Sequence, residues 1–198
     1  MSTATPRCIL LFVTVACTFS SSAHAEHHEV PAADQIASAL VAAPDDRKEG
    51  AAVIGWTESG DNVTLREGSN DLICLADDPA TEGFNAACYH VDLGPFMARG
   101  RDLKREGVQG MARSTKRFEE VEAGTLPMPD GPRALYVTSG KSFDAATGEV
   151  EEEFTRWVLY VPGATAEDLG LSASPGEGPW LMGAGTPGAH IMITPKRE

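Results

Sequence analysis

Cys74 and Cys88 constrain this chain more than any other pair of residues, because they are the two cysteines left once an N-terminal leader is set aside. Residues 1–25 read as a secretory signal peptide. Arg7 supplies the positive start, and Cys8-Ile-Leu-Leu-Phe-Val-Thr-Val-Ala16 is an apolar run of the length such leaders use. Ala23 and Ala25 put small residues where signal peptidase needs them, so cleavage is expected after Ala25. Cys8 and Cys17 leave with the leader. A competing reading makes Cys17 a lipoprotein cysteine, but Thr14 is a poor substitute for the usual Leu three places before it. The apolar run falls well short of the ~20 residues that span a bilayer, and no later segment comes closer, so no membrane span is expected. The expected address is outside the cytoplasm, periplasmic or secreted.

In an oxidising compartment two remaining cysteines read as one disulfide. Closing a loop of about 15 residues removes chain entropy worth about 3 kcal/mol. Metal ligation is the alternative, but no third or fourth soft ligand is organised around the pair.

The rest of the chain, residues 26–198, reads as a single domain with a loose start over 26–30. The composition of the whole chain, 42% hydrophobic and 23% charged, is that of a folded protein rather than a disordered or coiled-coil one. The formal charge of −13 disfavours nucleic acid and anionic lipid as main partners, since both need a cationic footprint.

Residues 31–43 are Ala-rich between two prolines and predict a helix of about three turns. Residues 51–57, 63–66 and 71–76 predict strands, the first two joined by a polar hairpin connection at 58–62. The stapled loop follows over 77–87. Gly94-Pro95 opens a helix at 96–106, and a second helix runs over 111–123 after two glycines. A proline-rich connector leads to the strongest strands, 133–138 and 154–161, with a glycine-closed turn at 144–148 between them. Residues 170–188 read as loop, and 189–194 as a last short strand. Strands that arrive as hairpins predict an α+β fold: a mostly antiparallel sheet, about three helices and one disulfide.

Several features carry potential chemistry. Arg99, Arg101, Lys104, Arg105, Arg113, Lys116 and Arg117 crowd into two helices of an acidic chain. Guanidinium forks suit carboxylate or phosphate, so an anion site is one expectation. The other is a solvated face paired with acids elsewhere, which the spread of these bases around the helices favours. Tyr89 and His90 follow Cys88 and are held by the staple. His190 shares a strand face with Met192. A metal or acid–base site combining His90, His190 and Asp77, Asp78 or Asp92 is conceivable chemistry, but no metal-ligand spacing supports it. Ser139-Gly140-Lys141-Ser142 and Asn62-Val63-Thr64 are chance matches to phosphate-loop and glycosylation motifs. Trp180 lies in a segment dense in glycine and proline, either as a pocket wall or, the favoured expectation, as a plug for the core's open end. Cleavage after Ala25 would also expose Glu26-His27-His28, whose free amine, two amides and His28 imidazole suit square-planar Cu(II) or Ni(II), with His27 as a further donor.

The runs Arg66-Glu-Gly-Ser-Asn70, Cys74-Leu-Ala-Asp-Asp-Pro79, Gly83-Phe84, Cys88-Tyr-His90 and Pro95-Phe-Met-Ala-Arg-Gly100 belong together with a tail. That tail is Gly178-Pro-Trp-Leu-Met182, Gly185-Thr-Pro187 and Ala189-His-Ile-Met-Ile193. The whole resembles a group of exported bacterial proteins that carry no assigned activity. The resemblance implies bacterial export and one domain, and brings no catalytic residues with it. The leading expectation is a non-enzymatic module that binds a small ligand or an envelope protein. Its surface would be the stapled loop, the basic helices and the Trp180 segment. The alternatives are a metal-assisted or acid–base hydrolase using His90 and His190, and a structural envelope protein.

Overall fold

The computed structural model describes Met1 and residues 30–195. The expected leader, its cleavage point and the candidate metal ligands His27 and His28 lie outside the described residues.

Pro31 precedes α1 (Ala32–Leu40), and its fixed backbone suits the start of a helix. The buried Gln35 side chain pins α1 to the sheet. Its amide donates to the Val30 and Trp56 carbonyls at 2.9 and 3.1 Å, and its oxygen accepts from the Trp56 N–H at 2.8 Å. Then come β1 (Ala52–Trp56), β2 (Asn62–Arg66), β3 (Leu72–Leu75) and β4 (Phe84–His90). A 3-10 turn at Val91–Leu93 passes into α2 (Gly94–Arg105), which is followed by α3 (Gly110–Glu122). The chain continues through β5 (Arg133–Gly140), β6 (Ser142–Asp144), β7 (Glu149–Glu151) and β8 (Phe154–Tyr160). It closes with the one-turn α4 (Ala166–Leu169), β9 (Trp180–Met182) and β10 (His190–Ile193).

Eight strands form one sheet in the order β2-β1-β3-β4-β5-β8-β10-β9, while β6 and β7 make a separate ribbon. Every pairing in the large sheet is antiparallel except β1 with β3. The result is a single α+β domain with one disulfide, Cys74–Cys88, which joins two directly opposed positions of β3 and β4.

The two sides of the sheet carry different layers. On one, α1 packs over Val53, Cys74, Ala86 and Cys88, which like Ala39 are fully buried. Strand alternation turns Tyr89 to the opposite side from Cys88. There α2 and α3 cover the row Ile73, Tyr89, Leu135 and Val158, which the pairing registers place side by side. Phe96 of α2 stands edge-on to Tyr160 of β8 at 6.0 Å and stacks with Phe118 of α3 at 6.4 Å.

Three expectations need correction. The stapled loop is shorter than 77–87, because β4 begins at Phe84 and takes in Cys88, Tyr89 and His90. The 170–188 segment is not all loop: it contains β9, paired to β10. Trp180 is not the plug of the core. It is half-buried on an edge strand, and alternation makes its neighbour Leu181 the fully buried residue. The helix count also rises to four among the described residues, since Thr165 and Asp168 form a reciprocal cap on α4.

Candidate functional site

The α2–α3 hairpin decides which of the clustered bases are committed to structure. Arg99 donates from Nε to both carboxylate oxygens of Glu120, at 2.9 and 3.0 Å, and from Nη1 to Glu106 at 2.7 Å. The Glu120 hydrogen bonds, then those to Glu106, push the Arg99 guanidinium still further toward its charged form, and Arg99 in turn holds the Glu120 carboxyl below its usual range. Arg105 reaches Asp102 at 2.5 Å and Asp61 at 3.4 Å. Lys104 meets Asp78 at 2.7 Å. For these three the expected pairing with acids is what the fold provides.

Of the remaining bases Lys116 is exposed, while the others join Lys104 on the inward side. Arg101, Lys104, Arg113 and Arg117 line a cleft of about 490 Å³ between the helix hairpin and the sheet. Trp56, Leu75, Ala87, Tyr89, Met97 and Leu135 supply its apolar and aromatic walls. Arg101 is oriented by Asn62, which accepts from Nε at 2.9 Å, and by the Tyr89 hydroxyl, which accepts from Nη1 at 3.1 Å. Tyr89 is therefore doubly placed: the disulfide sets its strand, and Arg101 holds its tip.

Arg113 and Arg117 stand one turn apart on α3, on the same side of the helix. Neither forms an ion pair with a described acid. The Arg117 guanidinium lies 4.2 Å from the Phe96 ring centre, and its Nη1 reaches the Phe96 carbonyl only at 3.4 Å. Its Nε is buried and finds no acceptor among the described residues. Burial pulls the Arg117 pKa down, Tyr160 opposes that, and the neighbouring Arg113 charge adds to it.

Two acids enter the same wall, Asp77 and Asp78. Asp78 is taken by Lys104. Asp77 has no base beside it among the described residues; its Oδ1 accepts the Asn85 N–H at 2.8 Å. Burial raises its pKa to about 6, with nearby Asp78 adding to the rise and the Asn85 hydrogen bond opposing it.

The structure does not assemble the two histidines. His90, at the end of β4, accepts the Asp92 N–H on Nδ1 at 3.1 Å, which puts its proton on Nε2, 3.4 Å from Asp71. Asp92 is held in turn by Arg133 and Asp71 by Arg47, so His90 is a link in a chain of charges at the sheet's end. His190 lies on β10, opposite Tyr160, with Nδ1 at 2.7 Å from the Gly188 carbonyl. Burial lowers its pKa against that hydrogen bond. Three strand spacings, about 14 Å, separate β4 from β10. A site that needs both imidazoles at one point is not formed. Trp180 on β9 occupies the far edge and does not line the cleft. Among the described residues no group of three or more His, Cys, Asp or Glu is arranged to hold a metal.

Of the expected binding residues, Tyr89 and Arg101 therefore meet in one cleft, while Arg99 braces the helices behind it. Trp56 and Leu135 are among the wall residues that the sequence did not single out. No known protein family, curated protein or solved structure matches the chain.

Proposed function

We propose that this chain is an exported, non-enzymatic binding module whose cleft beneath α2 and α3 takes a small organic anion with an apolar body. One observation carries the reading: Arg117 is half-buried in the cleft wall without a counter-charge among the described residues, and its buried Nε lacks any acceptor among them. A buried donor left unsatisfied costs about 1–3 kcal/mol, and more when it is charged, and an anion in the cleft would offset that cost by pairing with the guanidinium as a whole. Arg113 stands beside it, and two guanidinium forks match a carboxylate or phosphate better than ammonium groups do. The chain as a whole is strongly acidic, so an anion gains nothing from it at long range and must be held by these local bases. The apolar floor of Leu75, Ala87 and Leu135 suits the ligand's hydrocarbon part. A volume of about 490 Å³ is in the range of small-molecule sites.

The test is calorimetric titration with 3-phenylpropionate, phenyl phosphate and the neutral 3-phenylpropanamide. The expected result is saturable binding of the two anions, none of the amide, and loss of binding in the Arg113→Met, Arg117→Met double variant. Equal binding of acid and amide, or of wild type and variant, overturns the reading, as does failure of both anions to bind. Export rests on the leader. A chain recovered from a bacterial host with a mass starting at Glu26 supports it, and retention of residues 1–25 overturns it.

A further inference from the structure

We propose that the occupant of the cleft is a zwitterion of short-peptide size, its acid group held by Arg113 and Arg117 and its ammonium by Asp77; this rests on the anion reading above. The argument is one of pairing. Of the charged side chains in the cleft wall, Lys104 and Asp78 neutralise each other at 2.7 Å, and Arg101 is held by Asn62 and Tyr89. That leaves three cations without a counter-charge among the described residues, of which Arg101 already has its two neutral acceptors while Arg113 and Arg117 have no carboxylate, and one anion, Asp77. A plain organic acid would answer the guanidinium groups and leave the half-buried Asp77 carboxylate facing a second negative charge. An ammonium on the same ligand answers Asp77 instead.

No other described residue does so. Asp77 also borders a neighbouring cavity of about 370 Å³ that contains Lys141, but the Lys141 ammonium is tied to Glu151 at 2.6 Å. The amide of Asn85 occupies one carboxylate oxygen and supplies no charge. Burial without a cation is also what lifts the Asp77 pKa to about 6, leaving it charged at neutral pH and in want of a partner.

Placement sets the ligand's length. Asp77 leaves the end of β3 and is anchored to the start of β4, whereas Arg117 sits over Phe96, which packs on β8. The cleft floor between them runs from Leu75 on β3 to Leu135 on β5, two strand spacings or about 10 Å. An α-amino acid covers only a small part of that floor. A dipeptide carries its ammonium and carboxylate far enough apart, with a side chain free to lie on the apolar floor.

Three probes separate the charges: the dipeptide Ala-Phe, its N-acetyl form, which keeps the acid and loses the ammonium, and its C-terminal amide, which does the reverse. Titrated into wild type, Ala-Phe should bind about tenfold or more tightly than the N-acetyl form, as expected for one charge-assisted pair in a half-buried site. In Asp77→Asn the two should bind alike, with thermal melts showing that the variant is folded. In Arg117→Met both acids should weaken together. If the N-acetyl form binds wild type as tightly as Ala-Phe, or if Asp77→Asn keeps the preference, the zwitterion is refuted while the anion reading stands. If neither acid binds wild type, both fall.

Discussion

Replacing Arg117 by methionine should make the protein more stable, although the large majority of substitutions at buried positions do the opposite. Methionine keeps the aliphatic stem and removes the guanidinium. What is recovered is the cost of the unsatisfied buried Nε, about 1–3 kcal/mol. What is lost is the attraction of the cation for the Phe96 ring 4.2 Å away, about 0.5–2 kcal/mol in a desolvated setting. The hydrogen bond to the Phe96 carbonyl, at 3.4 Å, is too long to weigh much. Mid-range values leave a gain of about 1 kcal/mol, which for a domain of this size raises the melting temperature by roughly 2–4 °C. Urea and thermal melts followed by circular dichroism, with no ligand added, measure it directly. Arg99→Met is the control: its guanidinium joins Glu120 and Glu106 across the helix hairpin, so that variant should lose stability. A loss of 1 kcal/mol or more in Arg117→Met would refute the reasoning, because it would make the Arg117 guanidinium a structural brace like Arg99 rather than a group kept for a ligand.

Further predictions concern the frame of the cleft. The Cys74→Ala, Cys88→Ala double variant should lose about 3 kcal/mol, the entropy of a closed loop of some 15 residues; an unchanged urea midpoint would contradict this. Gly188→Ala should cost about 1–3 kcal/mol, since a Cβ there would lie 2.3 Å from Cε1 of Phe118, the ring that seats α3. A wild-type melting temperature for that variant would show that α3 shifts freely. Asp77→Asn should alter the pH profile. The folded protein holds the Asp77 proton up to about pH 6, against an ordinary value of 3.8. Its contribution is therefore stabilising below about pH 4 and is lost as the pH rises through 6. The variant should match wild type at pH 4 and melt higher at pH 7.5; parallel profiles would place the Asp77 carboxylate in water.

The elements that local chemistry builds are those legible in the sequence. Pro31 and Pro44 bracket α1, Gly94-Pro95 opens α2, and branched and aromatic residues fill the centre of β5 and most of β8. The Asp144–Gly148 turn is as expected: the Gly148 N–H donates to the Asp144 carbonyl at 2.7 Å, and Gly148 takes a φ of 77° that a side chain would oppose. β4 escaped because Asn85-Ala86-Ala87 has none of the strand-forming residues. Its centre is small for a tertiary reason: Ala86 is fully buried where α1 presses on the sheet. β1 lies between β2 and β3, and its parallel pairing with β3 joins segments that no hairpin connects. β9 depends on distant partners, β10 and a bridge to Ser172. In the glycine-rich stretch before β10, Gly183 and Gly185 take positive φ, and Gly188 leaves room for Phe118. That stretch therefore shapes the fold's far end and forms no part of the cleft.

The candidate site was legible as a surplus of charge and illegible as a set of pairs. Seen along the chain, Arg99 and Arg117 are equivalent bases on neighbouring helices. Their fates are set by residues far away in sequence, Glu120 for one and the Phe96 face for the other. His90 drew notice because it follows Cys88, yet Asp71 and Asp92 reach it only when β3 and the turn after β4 close around the strand's end. One local signal was available. Arg113 and Arg117 are four apart and therefore share a helix face, and the residue after Arg117 is Phe118, which is needed for packing. A helix seated by Phe118 must carry its neighbour Arg117 close to the sheet, into surroundings that a guanidinium avoids unless something repays its burial. In an acidic protein that pairs Arg99, Lys104 and Arg105 of the neighbouring helix with carboxylates, the two guanidinium groups that line the cleft without one among the described residues, beside the unpaired Asp77, describe the partner they are built for.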